Sequence, residues 1–262
     1  MAFSRSRAVP GSGGNPPAAE TGTDLALYTK TLGGVPFPSP ARQTWGGARN
    51  RRDRVSHALT LKQATNIIEA ARYAIRIGLP FNRHITIHWE TAGIPDSRAA
   101  WATGRYLKLM GDWVAKQGGC IAWVWVRENG DGKGSHTHIL VHVPAGLPIG
   151  SIQRRWLRRI TGKPYKAGTI HTTRIGGTLA AAQAVTEAYL ANLGEAVAYV
   201  LKGASADSAA ALGLDKLEPG GSIIGKRTAT SQNLGATARR LAERMVEKRP
   251  VGICAGTGEL PS

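Results

Sequence analysis

Two strand-like runs, joined by one polar, glycine-rich turn, limit the folds that this chain can adopt. Residues 120–126 are entirely apolar, and residues 136–143 form a second run that becomes apolar after two histidines. Residues 129–132 between them read Asn-Gly-Asp-Gly. Asn-Gly and Asp-Gly pairs between two strand-like runs are typical of a β-hairpin. Because the first run is apolar on both faces of a strand, it belongs in the interior of a sheet. The sequence therefore predicts a central hairpin.

Further helices and strands surround this hairpin. Apolar residues recur at intervals of three and four where helices are expected, and short β-branched runs indicate strands. The predicted helices span residues 61–75, 97–117, 149–160 and 180–201, the last with a break near Gly194, and the further strands span 84–89 and 168–174. This order predicts an α+β fold in which a central, mainly antiparallel sheet is flanked by helices.

The two ends of the chain differ in composition from its middle. Residues 1–55 are rich in Gly, Pro, Ser and Thr, and their last part holds five arginines. Residues 206–262 return to Ala and Gly, with one further helix possible at 237–248. Segments of low apolar content do not fold alone. The sequence thus predicts a flexible basic tail at 1–55, a folded domain at 56–205 and a basic C-terminal extension at 206–262.

The charge of the chain points to a polyanionic partner. There are 34 Lys and Arg against 17 Asp and Glu, a formal net charge of +17, which favours nucleic acid; a basic protein without such a partner is the alternative. No apolar run reaches the ~18 residues of a membrane span. Two cysteines exclude a disulfide framework and a four-thiolate zinc site. These features predict a cytoplasmic protein with no membrane partner.

The hairpin carries three residues suited to a metal ion. His136 and His138 are two positions apart on a strand, so their imidazoles project from one face. Glu128 lies eight residues before His136, and a hairpin of this length returns it to the side of both histidines. One carboxylate and two imidazoles leave positions open on Mg²⁺ or Mn²⁺ for water and a phosphate oxygen. The alternative is a pair of ordinary strand histidines. His142 also shares their face.

A second candidate pair lies on the last long helix. Tyr199 and Lys202 are three positions apart, so the phenol and the ammonium share a helix face. A tyrosine oxygen becomes a useful nucleophile where cations hold the developing charge of a phosphate. Taken alone, such a pair is very common and is typical of a half-buried tyrosine beside a lysine whose stem covers apolar surface.

The helix at 149–160 carries a cationic stripe. Like charges four positions apart destabilise a helix unless an anion offsets them, and an aromatic side chain among them can stack on a base. We therefore predict DNA contacts, with a solvated charged face as the alternative, from Arg154, Arg155, Trp156, Arg158 and Arg159.

Taken together, Glu128, the His136-Thr137-His138 motif and the later Tyr199-x-x-Lys202 motif resemble the HUH endonucleases, in particular the single-tyrosine rolling-circle replication initiators (Rep-like proteins). Residues 84–88 occupy the place of the family's first motif, and the likeness covers about 80–205. The departure is Thr137, which is polar where the middle residue is usually apolar. The tyrosine follows the histidines, whereas relaxases of the superfamily place it before them.

The resemblance implies a fold, a reaction and partners. The fold would be the sheet described above, and Glu128, His136 and His138 would bind Mg²⁺ or Mn²⁺. Tyr199 would nick single-stranded DNA at a replication origin, leaving a 5′-phosphotyrosine and a free 3′-hydroxyl, with Lys202 steadying the site. A host helicase and polymerase would be partners. A transposase of the same superfamily and a non-catalytic DNA-binding protein are the alternatives.

Overall fold

The computed structural model describes residues 53–130 and 132–247. The strands within them are β1 (Val55–Ser56), β2 (Arg83–His88), β3 (Ala122–Gly130), β4 (Gly134–His142), β5 (Ile170–Arg174), β6 (Ile223–Ile224) and β7 (Thr228–Thr230). The helices are α1 (Leu61–Arg76), α2 (Asp96–Lys116), α3 (Gly150–Thr161), α4 (Leu179–Gln183), α5 (Glu187–Leu201), α6 (Ala206–Leu212) and α7 (Ala236–Glu247). Most of the predicted N-terminal tail, residues 1–52, lies outside the described residues.

One antiparallel sheet organises the described part of the chain. Its strand order is β5-β2-β4-β3-β7, and every neighbouring pair is antiparallel. The predicted hairpin is β3 and β4, and β4 is the central strand. The α+β fold class with a mainly antiparallel sheet flanked by helices is confirmed. No helix among the described residues is both long enough and apolar enough to cross a membrane.

The two faces of the sheet have separate apolar cores. On one face, Val124 and Leu140 pack with buried residues of α1 and α5. On the other, Ile85 and Ile139 pack with α2 and α3. Because side chains alternate along a strand, Glu128, which lies an even number of positions from Val124, belongs to the first face.

The long alanine-rich segment is divided at a different point from the predicted one. Gly194 lies inside α5, and the break falls at 184–186, where Val185 has a φ of 50°. Thr186 caps the start of α5, since its hydroxyl accepts a hydrogen bond from the backbone N–H of Tyr189 at 3.2 Å. A side-chain cap of this kind fixes a helix start, and here it outweighs the low helix propensity of Gly194.

The predicted domain boundary at residue 205 is corrected by the sheet itself. The edge strand β7 pairs with β3, and β6 pairs with β1 at the other end of the described chain. Arg227 is buried and donates to the carbonyl oxygen of Gly221 at 2.6 Å. A Cβ on Gly221, whose φ is +65°, would lie 1.7 Å from the Asn129 carbonyl oxygen. The folded unit thus continues to residue 247 despite its low apolar content, because backbone pairing and a buried guanidinium secure the segment.

Candidate metal centre and nucleic-acid interface

The β3–β4 hairpin brings together the three residues predicted to bind a metal. Glu128 is paired directly with His136, and His138 follows two positions later on the same face of the sheet. The potential ligand atoms of the three residues lie within 4.8 Å of one another. All three side chains are buried. This group, the candidate metal centre, therefore has the residue types and the spacing with which a metal ion can be bound.

The hydrogen bonds of the imidazoles leave ligand atoms free. His136 Nδ1 lies 2.8 Å from the Gly134 carbonyl oxygen; that oxygen can only accept, so Nδ1 donates, and the lone pair of the neutral ring is on Nε2. This Nε2 faces Glu128 Oε2 at 3.3 Å. Among the described residues, His138 Nε2 and Glu128 Oε1 are buried without a hydrogen-bond partner, although this nitrogen lies 3.5 Å from the other carboxylate oxygen, Glu128 Oε2. Since buried polar atoms are nearly always paired, these atoms fit a site that receives an ion.

Side chains of β2 support the candidate metal centre. His138 Nδ1 lies 3.0 Å from Thr86 Oγ1 and 3.2 Å from His84 Nε2, and the ring of His88 stacks on that of His136 at 5.3 Å between centroids. Partners of this kind hold metal-binding imidazoles in orientation. The contact of His84 with His138 was not predicted. The alternation of polar residues at 84, 86 and 88 would have indicated one shared face, but only the strand order places β2 beside β4.

Two further histidines of the sheet, His142 and His171, do not contact the candidate metal centre as His84 and His88 do. His142 lies on the same strand as His138, but its Nδ1 contacts the Pro80 carbonyl oxygen at 2.9 Å. His171 lies on the edge strand β5, paired in register with Thr86, and is exposed.

The buried site favours protonation states that suit a metal. Burial lowers the pKa of His138 and of His88. Burial, followed by the charge of His138, lowers the pKa of His84 to about 4. Burial alone would raise the pKa of Glu128, but the neighbouring imidazoles and the ammonium of Lys202 outweigh it, and the pKa of this carboxyl lies well below its usual range. A neutral His138 beside an ionised carboxylate is the combination that metal binding requires.

The predicted lysine reaches this carboxylate and is held by a second one. Lys202 Nζ lies 3.4 Å from Glu128 Oε2 and 2.7 Å from Glu218 Oε2, and the Glu218 backbone N–H donates to the Lys202 carbonyl oxygen at 2.9 Å. Burial lowers the pKa of Lys202, but the hydrogen bond to Glu218 and the charge of Glu128 raise it above its ordinary value. Sequence reasoning misses Glu218, because this residue lies in a segment without periodicity within the predicted C-terminal extension.

The predicted tyrosine lies at the exposed edge of the same group. Tyr199 is 39% exposed, and its ring packs edge-on against His138 at 5.1 Å and against His84 at 5.6 Å between centroids. Lys202 Nζ lies 4.4 Å from the centre of the Tyr199 ring. By contrast, Tyr189 on the same helix is buried, and its hydroxyl donates to the Phe81 carbonyl oxygen at 3.0 Å. The two motifs of the sequence therefore meet in space.

The predicted nucleic-acid contacts on α3 are corrected at one residue. Trp156 is buried and packs edge-on against Tyr106 and Trp113, so it is not free to stack on a base. It lies on the side of α3 that covers the sheet, which the charge pattern concealed. The helix α3 covers the face of the sheet opposite the candidate metal centre. Its four arginines are exposed, namely Arg154, Arg155, Arg158 and Arg159.

Comparison with known proteins adds no relative: no family model, no curated protein and no solved structure matches the chain. The chemistry open to the site follows from its own groups. Two imidazoles and a carboxylate can bind a metal ion, and an exposed phenol and an ammonium lie against them.

Proposed function

We propose that this chain is a metal-dependent endonuclease that nicks single-stranded DNA through Tyr199, as a replication initiator of the HUH type does. One observation carries the proposal: an exposed tyrosine packs against a buried Glu-His-His group within a chain of net charge +17. A non-catalytic DNA-binding protein has no need of a buried carboxylate beside an imidazole nitrogen that lacks a hydrogen-bond partner, because burying such groups costs free energy.

Each group would have a defined task in the reaction. Glu128, His136 and His138 would hold Mg²⁺ or Mn²⁺, which when bound polarises a phosphate oxygen. The Tyr199 phenol oxygen attacks phosphorus and gives up its proton to solvent. The bond from phosphorus to the 3′ oxygen breaks, and that oxygen takes a proton to become a free 3′-hydroxyl. The 5′-phosphate stays on Tyr199, and the Lys202 ammonium offsets negative charge at Glu128 and near the phenol.

The proposed substrate and partners follow from this chemistry. The strand would be single-stranded DNA at a replication origin, and the free 3′-hydroxyl would prime synthesis by a host polymerase while a host helicase opens the duplex. The same chemistry would serve a transposase of the superfamily, and the sequence that is cut distinguishes the two.

The test uses the full chain and a pooled library of random single-stranded oligonucleotides. Incubation with Mn²⁺ should give protein–DNA adducts that survive denaturation, and sequencing the attached strands should identify a preferred cleavage site. Peptide mapping should locate the attachment at Tyr199. Excess chelator serves as the control and should prevent adduct formation. Tight DNA binding without any adduct in Mn²⁺ or Mg²⁺ would favour the non-catalytic alternative.

We predict that Glu218→Gln lowers cleavage without unfolding the protein. The carboxylate is the nearer partner of Lys202, and its neutral amide would hold the ammonium less firmly beside Glu128. Changes to such outer partners cost roughly 10- to 100-fold in activity. Cleavage rates and thermal unfolding of this variant should be compared with those of Glu195→Gln, an exposed control on α5. Equal rates in the two variants would contradict a positioning role for Glu218.

A further inference from the structure

A basic cavity lies beside the end of β2, apart from the candidate metal centre. It measures about 300 Å³, and its wall is formed by the turn after β2, the end of α3 and the loop before β5. Three cationic side chains, Arg158, Lys163 and Lys166, line it. Within the described residues, none of the three is ion-paired with a carboxylate, and no acidic residue lines the cavity. Its charge is therefore uncompensated.

The loop that carries two of these cations is held in place. Gly162 ends α3 with a φ of 68°, and the Lys163 backbone N–H donates to Thr161 Oγ1 at 3.1 Å. Across the cavity, a Cβ on Gly93 would lie 3.0 Å from Lys163 Nζ. The absence of a side chain at Gly93 thus leaves room for the ammonium.

A second observation points independently to a ligand with hydrogen-bond acceptors. Thr169 lines the same cavity and is 2% exposed, and among the described residues its hydroxyl has no hydrogen-bond partner. A buried hydroxyl without a partner costs roughly 1–3 kcal/mol. A phosphate oxygen in the cavity would offer the missing acceptor.

The cavity is linked to the candidate metal centre through His88 and shares residues with a second cavity on α3. The His88 backbone N–H donates to the Thr169 carbonyl oxygen at 2.8 Å, and the His88 ring stacks on His136. On its other side, the cavity shares Arg158, Lys163 and Tyr165 with a second cavity of about 600 Å³ that Arg154 also lines. Cationic side chains therefore extend from the cavity along α3.

We propose that this basic cavity binds a backbone phosphate of the nucleic-acid strand that continues beyond the candidate metal centre. The inference deepens the proposed function and rests on it for the identity of the strand. Lys163 and Lys166 supply the charge, and the Thr169 hydroxyl supplies a directed donor.

The test compares Lys163→Gln/Lys166→Gln with Lys62→Gln/Lys116→Gln, which removes the same charge at two exposed lysines elsewhere. Binding of a fluorescent single-stranded oligonucleotide is measured by anisotropy in chelator at several salt concentrations. The slope of the logarithm of the binding constant against the logarithm of salt concentration is negative. The cavity variant should make it less steep by roughly 0.7 for each phosphate that the protein no longer neutralises, and the control should change it less. Equal slopes in the two variants would overturn the cavity proposal.

A second variant separates a direct role in ligand binding from a structural one. Thr169→Val keeps the shape of the side chain and removes the unpaired hydroxyl, so it should weaken oligonucleotide binding severalfold without lowering the thermal unfolding temperature. Unchanged binding would overturn the role of the hydroxyl. Because binding is measured in chelator, failure of DNA cleavage together with the expected decrease in slope would count against the endonuclease and leave the phosphate site standing. Cleavage with an unchanged slope would support the endonuclease and overturn the phosphate site.

Discussion

Tyr199→Phe is expected to abolish covalent attachment of DNA and to slow cleavage by roughly 10³-fold or more, the scale on which loss of a nucleophile slows other covalent catalysts. The change removes one oxygen from a side chain that is 39% exposed, and the ring can keep its contacts with His138 and His84. Fold and DNA binding should therefore persist. The measurement is the rate of adduct formation on a cleavable oligonucleotide in Mn²⁺, with binding measured separately in chelator.

The matched control is Tyr189→Phe, on the same helix. Its hydroxyl is buried against the Phe81 carbonyl oxygen, so this change should lower the free energy of unfolding by about 1–3 kcal/mol and leave adduct formation intact. Attachment at Tyr189, or undiminished cleavage by Tyr199→Phe, would show that the nucleophile is another group.

His138→Ala is expected to remove Mn²⁺ binding and, with it, cleavage. The loss of affinity should exceed the roughly 10- to 100-fold cost of changes to outer partners, because the Nε2 atom that would bind the metal is deleted. DNA binding in chelator should be retained, since the basic surface supplies most of it. Isothermal titration with Mn²⁺ and anisotropy measurements give the two quantities.

Two companion variants guard against misfolding as the explanation. Glu128→Gln keeps the volume of the side chain and should also lose Mn²⁺, whereas His142→Gln, on the same strand as His138 but held by Pro80, should bind Mn²⁺ as the unmodified protein does. Wild-type Mn²⁺ affinity in both His138→Ala and Glu128→Gln would refute the assignment of the metal centre.

The hairpin and its three polar residues were predictable because they depend on local rules. Turn residues fix the pairing of neighbouring strands, and the two-residue period of a strand then determines that Glu128 and His136 share a face. The meeting of Tyr199 with this face was expected only through the family resemblance. No local rule predicts which helix packs over which part of a sheet.

What the sequence concealed depends on long-range pairing. Glu218 and β7 become meaningful only when the segment after residue 205 is seen beside β3, and its polar composition resembles that of a tail. The prediction for Trp156 was wrong because α3 is amphipathic as well as charged: the arginines lie on the exposed side, and the tryptophan packs toward the sheet.

The pairing of β1 with β6 has a consequence for the order in which the protein is made. A ribosome releases β1 first and β6 about 170 residues later, because β1 is Val55–Ser56 and β6 is Ile223–Ile224. Lys202 lacks Glu218 until residue 218 has been made, and β3 has an open edge until β7 follows. Nascent chains that contain the tyrosine and the histidines are thus synthesised before Glu218 and β7, and a nascent chain arrested before residue 218 should carry every predicted ligand and nucleophile without the second carboxylate that holds Lys202.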